Sequence, residues 1–517
     1  MKYPLLKSKI TNRSDYSWIF HLTIKKNYYP MKFVVRSILS TLLLFASAIS
    51  SAQNSQVLYF MNLPQNHLLN PAFRPTNSIY VGIPGLTGFN LNVTNNFFNF
   101  SDVFSKGLKI SKSSIPFLDP NFDRDKFLGR IKKLNYLEPK VSVQLLGVGI
   151  TAGKDLYVFL DIIDNAEVNL VCPRDLIRLA FLGNEEFVGQ TLDLSAIKAD
   201  VYYYREIGVG ASKYITPKLR FGAKAKLLSG IAGGSLQNYG LDLTVNSDYS
   251  NTLYANMAID ISAPVDFIRN SDGGIEDVQL IKERFDPDNG KYKSIFNMRN
   301  AGFGLDLGAE YTVTDKLVFS AAITDIGFIR WKSDISNLVA YADIELRGLD
   351  FQDIYEGSAT IDDLTKNMAD SISNAFQMAD VRKPFTTKLP VGLSFGGQYI
   401  FTDKFSAGIL SYSRIIGQQV KEALTLSGKV ELGDVFSATL AYTMCNHYYN
   451  NLGLGLSARA GFAQFYFLFD KVPLKWSRAG TKGDSIVLPA KWNTINTRFG
   501  INLVFGNGKN KSRDRQE

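Results

Sequence analysis

Lys213-Tyr214-Ile215-Thr216-Pro217-Lys218-Leu219, Glu310-Tyr311-Thr312-Val313-Thr314-Asp315-Lys316-Leu317 and Gln398-Tyr399-Ile400-Phe401-Thr402-Asp403-Lys404-Phe405 are variants of one pattern. In each, an aromatic and β-branched residues precede a tight Thr-(Asp/Pro)-Lys turn, and a second alternating run follows. That is the pattern of an antiparallel hairpin. The runs around the turns have two unlike faces. Leu219, Phe221, Ala223, Ala225 and Leu227 oppose Arg220, Gly222, Lys224 and Lys226. Phe303, Leu305, Leu307, Ala309 and Tyr311 oppose Gly302, Gly304, Asp306, Gly308 and Glu310, and Phe499, Ile501 and Leu503 oppose Arg498, Gly500 and Asn502. Side chains alternate across a strand, so each strand has one apolar face and one polar or glycine-rich face.

A soluble sandwich would also alternate, with its apolar face inward. The segments here run to about 10–14 residues, beyond the usual globular strand and near the length that crosses a bilayer at a tilt. Their polar faces combine glycine with isolated charges, as a crowded barrel interior requires, and Tyr and Phe recur at the segment ends like an interfacial girdle. Tight turns fall at Gly153-Lys154-Asp155, Thr216-Pro217-Lys218, Thr314-Asp315-Lys316, Thr402-Asp403-Lys404, Gly433-Asp434 and Ala460-Gly461. Six hairpins, a first strand near Ile79–Val93 and a last at Asn493–Phe505 predict an all-β, up-and-down antiparallel transmembrane barrel of about 14 strands. The links between hairpins are longer (94–140, 164–200, 232–300, 330–387, 415–420, 445–450, 471–492), so the tight turns are expected to be periplasmic and the long links extracellular. Leu236–Val245 and Leu253–Ile261 alternate as well, predicting an external hairpin, and Asp362–Met378 has helical spacing.

Eight basic residues and one acid lie in residues 1–52, so the net charge of +9 falls to +2 without them. A nucleic-acid partner therefore has no support from charge. Met31-Lys32, Arg36, the apolar run Ile38–Ile49 and Ser50-Ser51-Ala52 before Gln53 form a signal peptide over 31–52. Residues 1–30 are expected to be an upstream extension outside the native protein. The predicted layout continues with an N-terminal periplasmic or plug segment over 53–78, the barrel over 79–506 and a polar tail over 507–517. It places the exported chain in a Gram-negative outer membrane, against its lipids. Cys172 and Cys445 stand as a bridge or as two free thiols.

Several stretches resemble an uncharacterised family of Bacteroidota outer-membrane barrel proteins, a domain of unknown function. They are Leu69-Asn70-Pro71-Ala72-Phe73, Gly82-Ile83-Pro84-Gly85-Leu86, Pro173-Arg174-Asp175-Leu176 with Gly183-Asn184, and Tyr204-Arg205-Glu206-Ile207-Gly208. Ala225-Lys226-Leu227-Leu228-Ser229-Gly230, Thr324-Asp325-Ile326-Gly327-Phe328-Ile329-Arg330-Trp331, Lys388-Leu389-Pro390 and Arg498-Phe499-Gly500-Ile501-Asn502-Leu503 continue it in order. The Asn-Pro-Ala element is similar to one in long-chain fatty-acid transporter barrels and in barrel proteins of type IX secretion. The resemblance implies a fourteen-strand-like barrel without an assigned activity. The chain departs from it in adding the polar tail after Phe505.

The apolar segment before strand one has no sheet of its own, so Asn70, Pro71, Ala72 and Phe73 are candidates for a plug or gate. Arg220, Lys224, Lys226, Asp306, Glu310 and Arg498 are the candidate lumen charges. Counting upward from the turns brings Lys224 near Asp306 and Arg220 near Glu310, which pairs charges across neighbouring strands or lines a conduit. His67 and His447 have no nucleophile or acid partner by spacing and read as surface histidines, and no cluster has metal-ligand spacing. The expectation is therefore a non-enzyme without cofactor, metal or catalytic residues. Two functions stand open: transport of a small hydrophobic or amphipathic compound, or a structural or secretion-associated role that binds other outer-membrane proteins.

Overall fold

The threonine of each repeated turn closes that turn. Thr216 Oγ1 accepts from the backbone N–H of Leu219 at 3.0 Å, Thr402 Oγ1 from Phe405 at 3.1 Å, and Thr314 Oγ1 from Lys316 at 3.3 Å. A hydroxyl two or three residues ahead of an N–H supplies the acceptor that a tight hairpin leaves missing. The computed structural model describes residues 56–99, 122–153, 155–269, 275–280, 298–346, 377–380, 382–417, 419–445, 448–472, 476–479, 486–489 and 493–506. The predicted leader, the extension before it, the tail over 507–517 and His447 lie outside the described residues. So does most of the predicted helix over Asp362–Met378, whose last two residues belong to a strand, Gln377–Asp380.

The chain forms fourteen wall strands: β1 (Ile79–Gly82 and Gly88–Asn95), β2 (Leu134–Ala152), β3 (Leu156–Pro173), β4 (Lys198–Tyr214), β5 (Leu219–Val245), β6 (Ala301–Thr314) and β7 (Leu317–Trp331). After these come β8 (Val391–Thr402, prolonged outward by Phe385–Lys388), β9 (Phe405–Ile416), β10 (Gln419–Leu432), β11 (Phe436–Cys445), β12 (Tyr448–Ala460), β13 (Ala463–Phe469) and β14 (Thr494–Phe505). Every strand pairs antiparallel with its chain neighbours, and β14 returns to β1 with Phe505 opposite Ile79 and Phe499 opposite Phe89. The sheet is thus a closed fourteen-strand barrel, which leaves no unpaired edge.

Burial runs opposite to that of a soluble protein. Phe303 (60 % exposed), Phe395 (57 %) and Leu440 (54 %) face outward, whereas Lys224, Asp306, Thr425, Thr439 and Asn502 are almost wholly buried. Exposed large apolar side chains around a whole wall need an apolar solvent. At the turn end, Tyr311, Tyr399, Phe401, Phe405, Phe462 and Phe505 are exposed, and Phe462 stacks on Phe505 at 6.1 Å. These are the expected girdle. Among the described residues no helix is long and apolar enough to cross a membrane.

Three details differ from the sequence reading. The links β9–β10 and β11–β12 shrink to two residues, because both strands continue pairing past their apolar band. Strand β1 is interrupted at 83–87, where Gly85 adopts φ +73° and the amides of Leu86 and Thr87 turn back to the Ile83 carbonyl. Pro84 removes a ladder donor here, and the positive φ suits only glycine. Finally, β5 is 27 residues long and rises out of the wall. Its outer half pairs with Asn251–Ser262, the predicted external hairpin, which in turn pairs with Ile335–Leu346. Thr191–Asp193 adds a short strand to the outer half of β5, and Phe187, Leu192 and Leu194 cluster there with Leu241, Leu243 and Val245.

Leu440 lies midway along β11, facing outward. Leu440→Arg is expected to destabilise the barrel in lipid vesicles by about 2–4 kcal/mol in a denaturant titration. A change within about 0.5 kcal/mol, the usual effect at a water-facing position, would contradict the membrane placement of this wall.

Candidate functional site in the lumen

Residues 56–73 fill the turn-side half of the lumen. The helix Gln56–Phe60 is buried along its whole length, and Val57, Leu58 and Met61 pack on Ala441, Tyr466 and Leu468 of the wall. Its polar groups are answered by wall side chains. The Val57 amide donates to Asp470 Oδ1 at 2.7 Å, and Tyr59 Oη meets Ser320 Oγ at 2.6 Å. Burial pushes the Tyr59 phenol up, keeping it protonated at neutral pH. Gln65 and Asn502 exchange two side-chain hydrogen bonds of 2.7 and 3.1 Å, and Gln65 also reaches Tyr80 Oη and the Thr87 carbonyl at the break in β1.

The Asn-Pro-Ala element lies on bare backbone. Asn70 Oδ1 accepts from the Ala72 amide at 2.9 Å, which closes the turn, while Asn70 Nδ2 points at the carbonyls of Ala309 and Ala321, 3.4 and 3.3 Å away. The Ala72 carbonyl receives Ser212 Oγ at 2.9 Å and Arg220 Nη1 at 3.3 Å. A Cβ on Gly222 would overlap the Pro71 carbonyl, and one on Gly308 would overlap the Asn70 side chain. The glycines of the polar face are therefore the seat of this segment. Phe73 completes it, edge-on to Tyr59 at 5.2 Å. All four plug candidates contact the wall or one another.

His67, Asp161, Lys224, Glu206, Lys226, Asp306 and Asp325 form one chain of contacts, joined at its middle by Lys226 and Glu206 at 3.7 Å. His67 Nε2 is 2.8 Å from Asp161 Oδ2, and the imidazole stacks on Phe159 at 4.2 Å. Lys224 joins Asp161 at 3.2 Å to Glu206 at 2.7 Å, and Lys226 joins Asp306 at 2.8 Å to Asp325 at 2.6 Å. Lys224 is directly opposite Asp306 and Arg220 opposite Glu310 in the β5–β6 register, as counted from the turns. Arg220 and Glu310 pair at 3.0 Å, but Lys224 turns to β3 and β4, leaving Asp306 to Lys226. The reason is local. A bulge between Leu305 and Leu307 places Asp325 at φ +61°, where its amide bonds Asp306 Oδ1 at 2.7 Å. Buried charges persist when each is paired and hydrogen-bonded.

Two further ion pairs cross the lumen nearer the outer end. Glu138 of β2 meets Lys421 of β10, and Glu167 of β3 meets Arg414 of β9. These strands are nearly opposite in a ring of fourteen, so the pairs tie facing walls together. Lys140 adds to Glu167 at 3.4 Å, and Lys421 sits 4.2 Å above the Tyr136 ring. Between these pairs and the plug lies a cavity of about 90 Å³. Leu68 and Leu69 form its floor, and Asn90, Ser142, Asn165, Tyr204, Lys226 and Arg498 are among its lining residues. Arg498, Asn90, Ser142, Asn165 and Tyr204 are successive register partners across β14, β1, β2, β3 and β4, a single polar row.

A closed barrel with an apolar exterior, a filled lumen and an aromatic girdle defines an outer-membrane β-barrel protein. Residues 71–470 match the model of a family of unknown function, DUF5723, and the chain belongs to that family. Similar solved structures include the toluene transporter TbuX of Ralstonia pickettii (10 % identity over 89 % of this chain and 97 % of that one, TM-score 0.38). A FadL homologue of Pseudomonas aeruginosa gives 12 % identity over 89 % and 97 %, TM-score 0.39. The translocator domain of the autotransporter NalP of Neisseria meningitidis gives 7 % over 92 % and 98 %, TM-score 0.29. No functionally curated protein matches the chain. With identities and scores this low, the architecture is established by the chain's own closed ladder.

His67 corrects the sequence reading. It is buried and bonded to an acid rather than on the surface. Its signal was its place in a segment already expected to enter the lumen, where an imidazole needs a partner. Asp161, Glu206 and Asp325 were also missed, although Asp161 shares the inward face of Phe159 and Ile163. The two cysteines are free, Cys445 receiving an N–H from Asn451 at 3.1 Å. Among the described residues no cluster of His, Cys, Asp and Glu could hold a metal ion.

Gly222→Val is expected to unseat the Asn70–Phe73 turn while the ladder persists. Limited proteolysis of the detergent-solubilised protein should then cleave within residues 56–78 at least tenfold faster, with strand circular dichroism unchanged. Asp161→Asn removes the shared acid of His67 and Lys224 and should cost about 3–5 kcal/mol of unfolding free energy.

Proposed function

We propose that this barrel passes a small amphipathic compound through the luminal chamber, which the N-terminal segment gates on the turn side and the crossing ion pairs on the outer side. The observation that carries this reading is a polar cavity that lies between the N-terminal segment and the crossing ion pairs. The break in β1 supports it too. Leu86 of that break is 57 % exposed on the outer face, while Gly88 just beyond it lines the chamber. A compound leaving the chamber beside the break would meet apolar side chains and then lipid. The plug is tied to the same break through Gln65 and Thr87.

The anchoring role keeps one observation of its own. The face of the external sheet away from its apolar core carries Tyr239, Tyr254 and Tyr341, exposed by 70, 37 and 45 %. Tyrosines of this kind recur at protein interfaces.

The test is a staple between plug and wall. Ala72→Cys with Ser212→Cys, in a chain lacking Cys172 and Cys445, joins two positions whose backbone and side chain already touch. In reconstituted vesicles the oxidised protein should lose solute flux and regain it with reductant. Equal flux in both states would overturn the plug as a gate, and absence of flux in both would favour anchoring.

A further inference from the structure

The polar row across the β14–β1 seam, with Gln144 beside it, carries polar atoms that have no hydrogen-bond partner among the described residues. Asn90 and Gln144 are each only 3 % exposed, and both line the chamber. Asn90 Oδ1 and Gln144 Oε1 are buried and accept no hydrogen bond, and Arg498 Nε donates none, among the described residues. Gln144 cannot resolve this by turning its amide over, because its Nε2 already donates to Asp161 Oδ1 at 2.8 Å. Its Oε1 therefore faces the chamber by necessity. The missing Cβ of Gly88 keeps the space in front of it, since that atom would stand 3.1 Å from Oε1.

Arg498 is the unusual cation of this chamber. Lys140, Lys224 and Lys226 each contact at least one carboxylate. Arg498 has no ion pair or hydrogen bond to another described residue, though it lies directly opposite Asn90 in the ladder. The acid whose field reaches it, Asp470, makes no ion pair with it and accepts from the Val57 amide through Oδ1. The acids that line the same cavity, Glu206 and Asp325, are held by Lys224 and Lys226, and a guanidinium left without a carboxylate beside them is a ready receptor for an anion. The two amide oxygens beside it require the opposite, hydrogen-bond donors.

One ligand chemistry meets both demands. We propose that the chamber binds a hydroxylated organic anion, whose carboxylate or phosphate takes Arg498 and whose hydroxyls donate to Asn90 Oδ1 and Gln144 Oε1. A cavity of about 90 Å³ holds a compact head of a few heavy atoms and excludes a folded alkyl chain. The anion is either a free small acid or the head of an amphiphile whose chain leaves through the broken strand. This inference rests on the chamber being the compound's site, and it names the compound's class.

Titration calorimetry on the full chain in zwitterionic detergent tests it with four probes: glycerate, propionate, glycerol and toluene. Glycerate should bind at least about tenfold more tightly than propionate or glycerol, as a lost charged or neutral hydrogen bond requires, and toluene should not compete. Arg498→Gln should lose at least tenfold of the glycerate affinity, Arg498→Lys should retain part of it, and Lys429→Gln, outside the chamber, should retain all. A barrel that fails to fold with glutamine still leaves the lysine variant to report. The chain-bearing 2-hydroxyoctanoate separates the sources: tighter binding than glycerate identifies an amphiphile's head, and equal or weaker binding a free acid. Propionate binding as tightly as glycerate would overturn the hydroxyl assignment, and unchanged affinity in both Arg498 variants would overturn the site. Absence of binding by any acid would mean that the chamber holds water alone. Flux that still responds to the cysteine staple would then show that this inference alone has failed.

Discussion

The pairing of β14 with β1 is the contact on which the rest of the molecule depends. Without it, fourteen strands form an open sheet with two bare edges and no inside. With it, one face of every strand becomes a wall against lipid and the other the lining of an interior. Where the N-terminal segment lies against the wall, glycines such as Gly222, Gly308 and Gly396 leave room that the wall does not fill itself. The N-terminal segment supplies the missing volume. Its own backbone groups, which have no sheet to pair with, are satisfied by Asp470, Ser212 and Arg220. Barrel and plug are thus parts of one solution to the requirement that buried polar backbone find partners.

The interior is held by charge rather than by apolar packing alone. In a buried interior an unpaired lysine or aspartate would be costly, and the chain keeps nearly all of those described in contact with an opposite charge. Lys226 answers Asp306 and Asp325 together, and Lys224 answers Asp161 and Glu206. His67 enters this network from the plug, so the plug's position and the wall's charge balance are coupled. Arg414 and Lys421, on the far wall, extend the same logic across the lumen. Each contact is local, yet their sum fixes the plug below and draws the walls together above.

Much of the wall was legible in the sequence because a closed barrel writes a simple code. Period-two alternation, tight turns marked by threonine and aromatics at the ends depend on neighbouring residues alone, and they placed the register of Lys224 against Asp306 and Arg220 against Glu310. What was not legible depended on contacts distant in sequence or on irregularity. The partner of Lys224 changed because a bulge beside Asp306 moved Asp325 into reach, and no periodicity announces a bulge. His67 looked unpartnered because Asp161 lies 94 residues away. The short links after β9 and β11 were overestimated because the strands keep pairing where their apolar pattern has already ended. Of the site, Asn70–Phe73 and the β5–β6 charges were named beforehand, and the acids of β3, β4 and β7 were not.

The irregularities cluster where the structure has a cavity to maintain. Strand β1 breaks at Pro84-Gly85 and resumes at Gly88, whose missing side chain leaves Gln144 Oε1 facing open space. A continuous β1 with an ordinary residue at that position would close the space and improve the ladder at once. The chain forgoes both gains at the seam that completes the barrel, the place where a lost backbone pairing is hardest to replace. It also leaves Arg498 at that seam without a carboxylate, although it pairs every lysine that lines the chamber. A scaffold optimised only for stability would be expected to remove these features, since each substitution that did so would add a contact. Gly88 and Gln144 face each other in the ladder beside the row that pairs Asn90 with Arg498, so these departures adjoin one another at the seam, away from the turns.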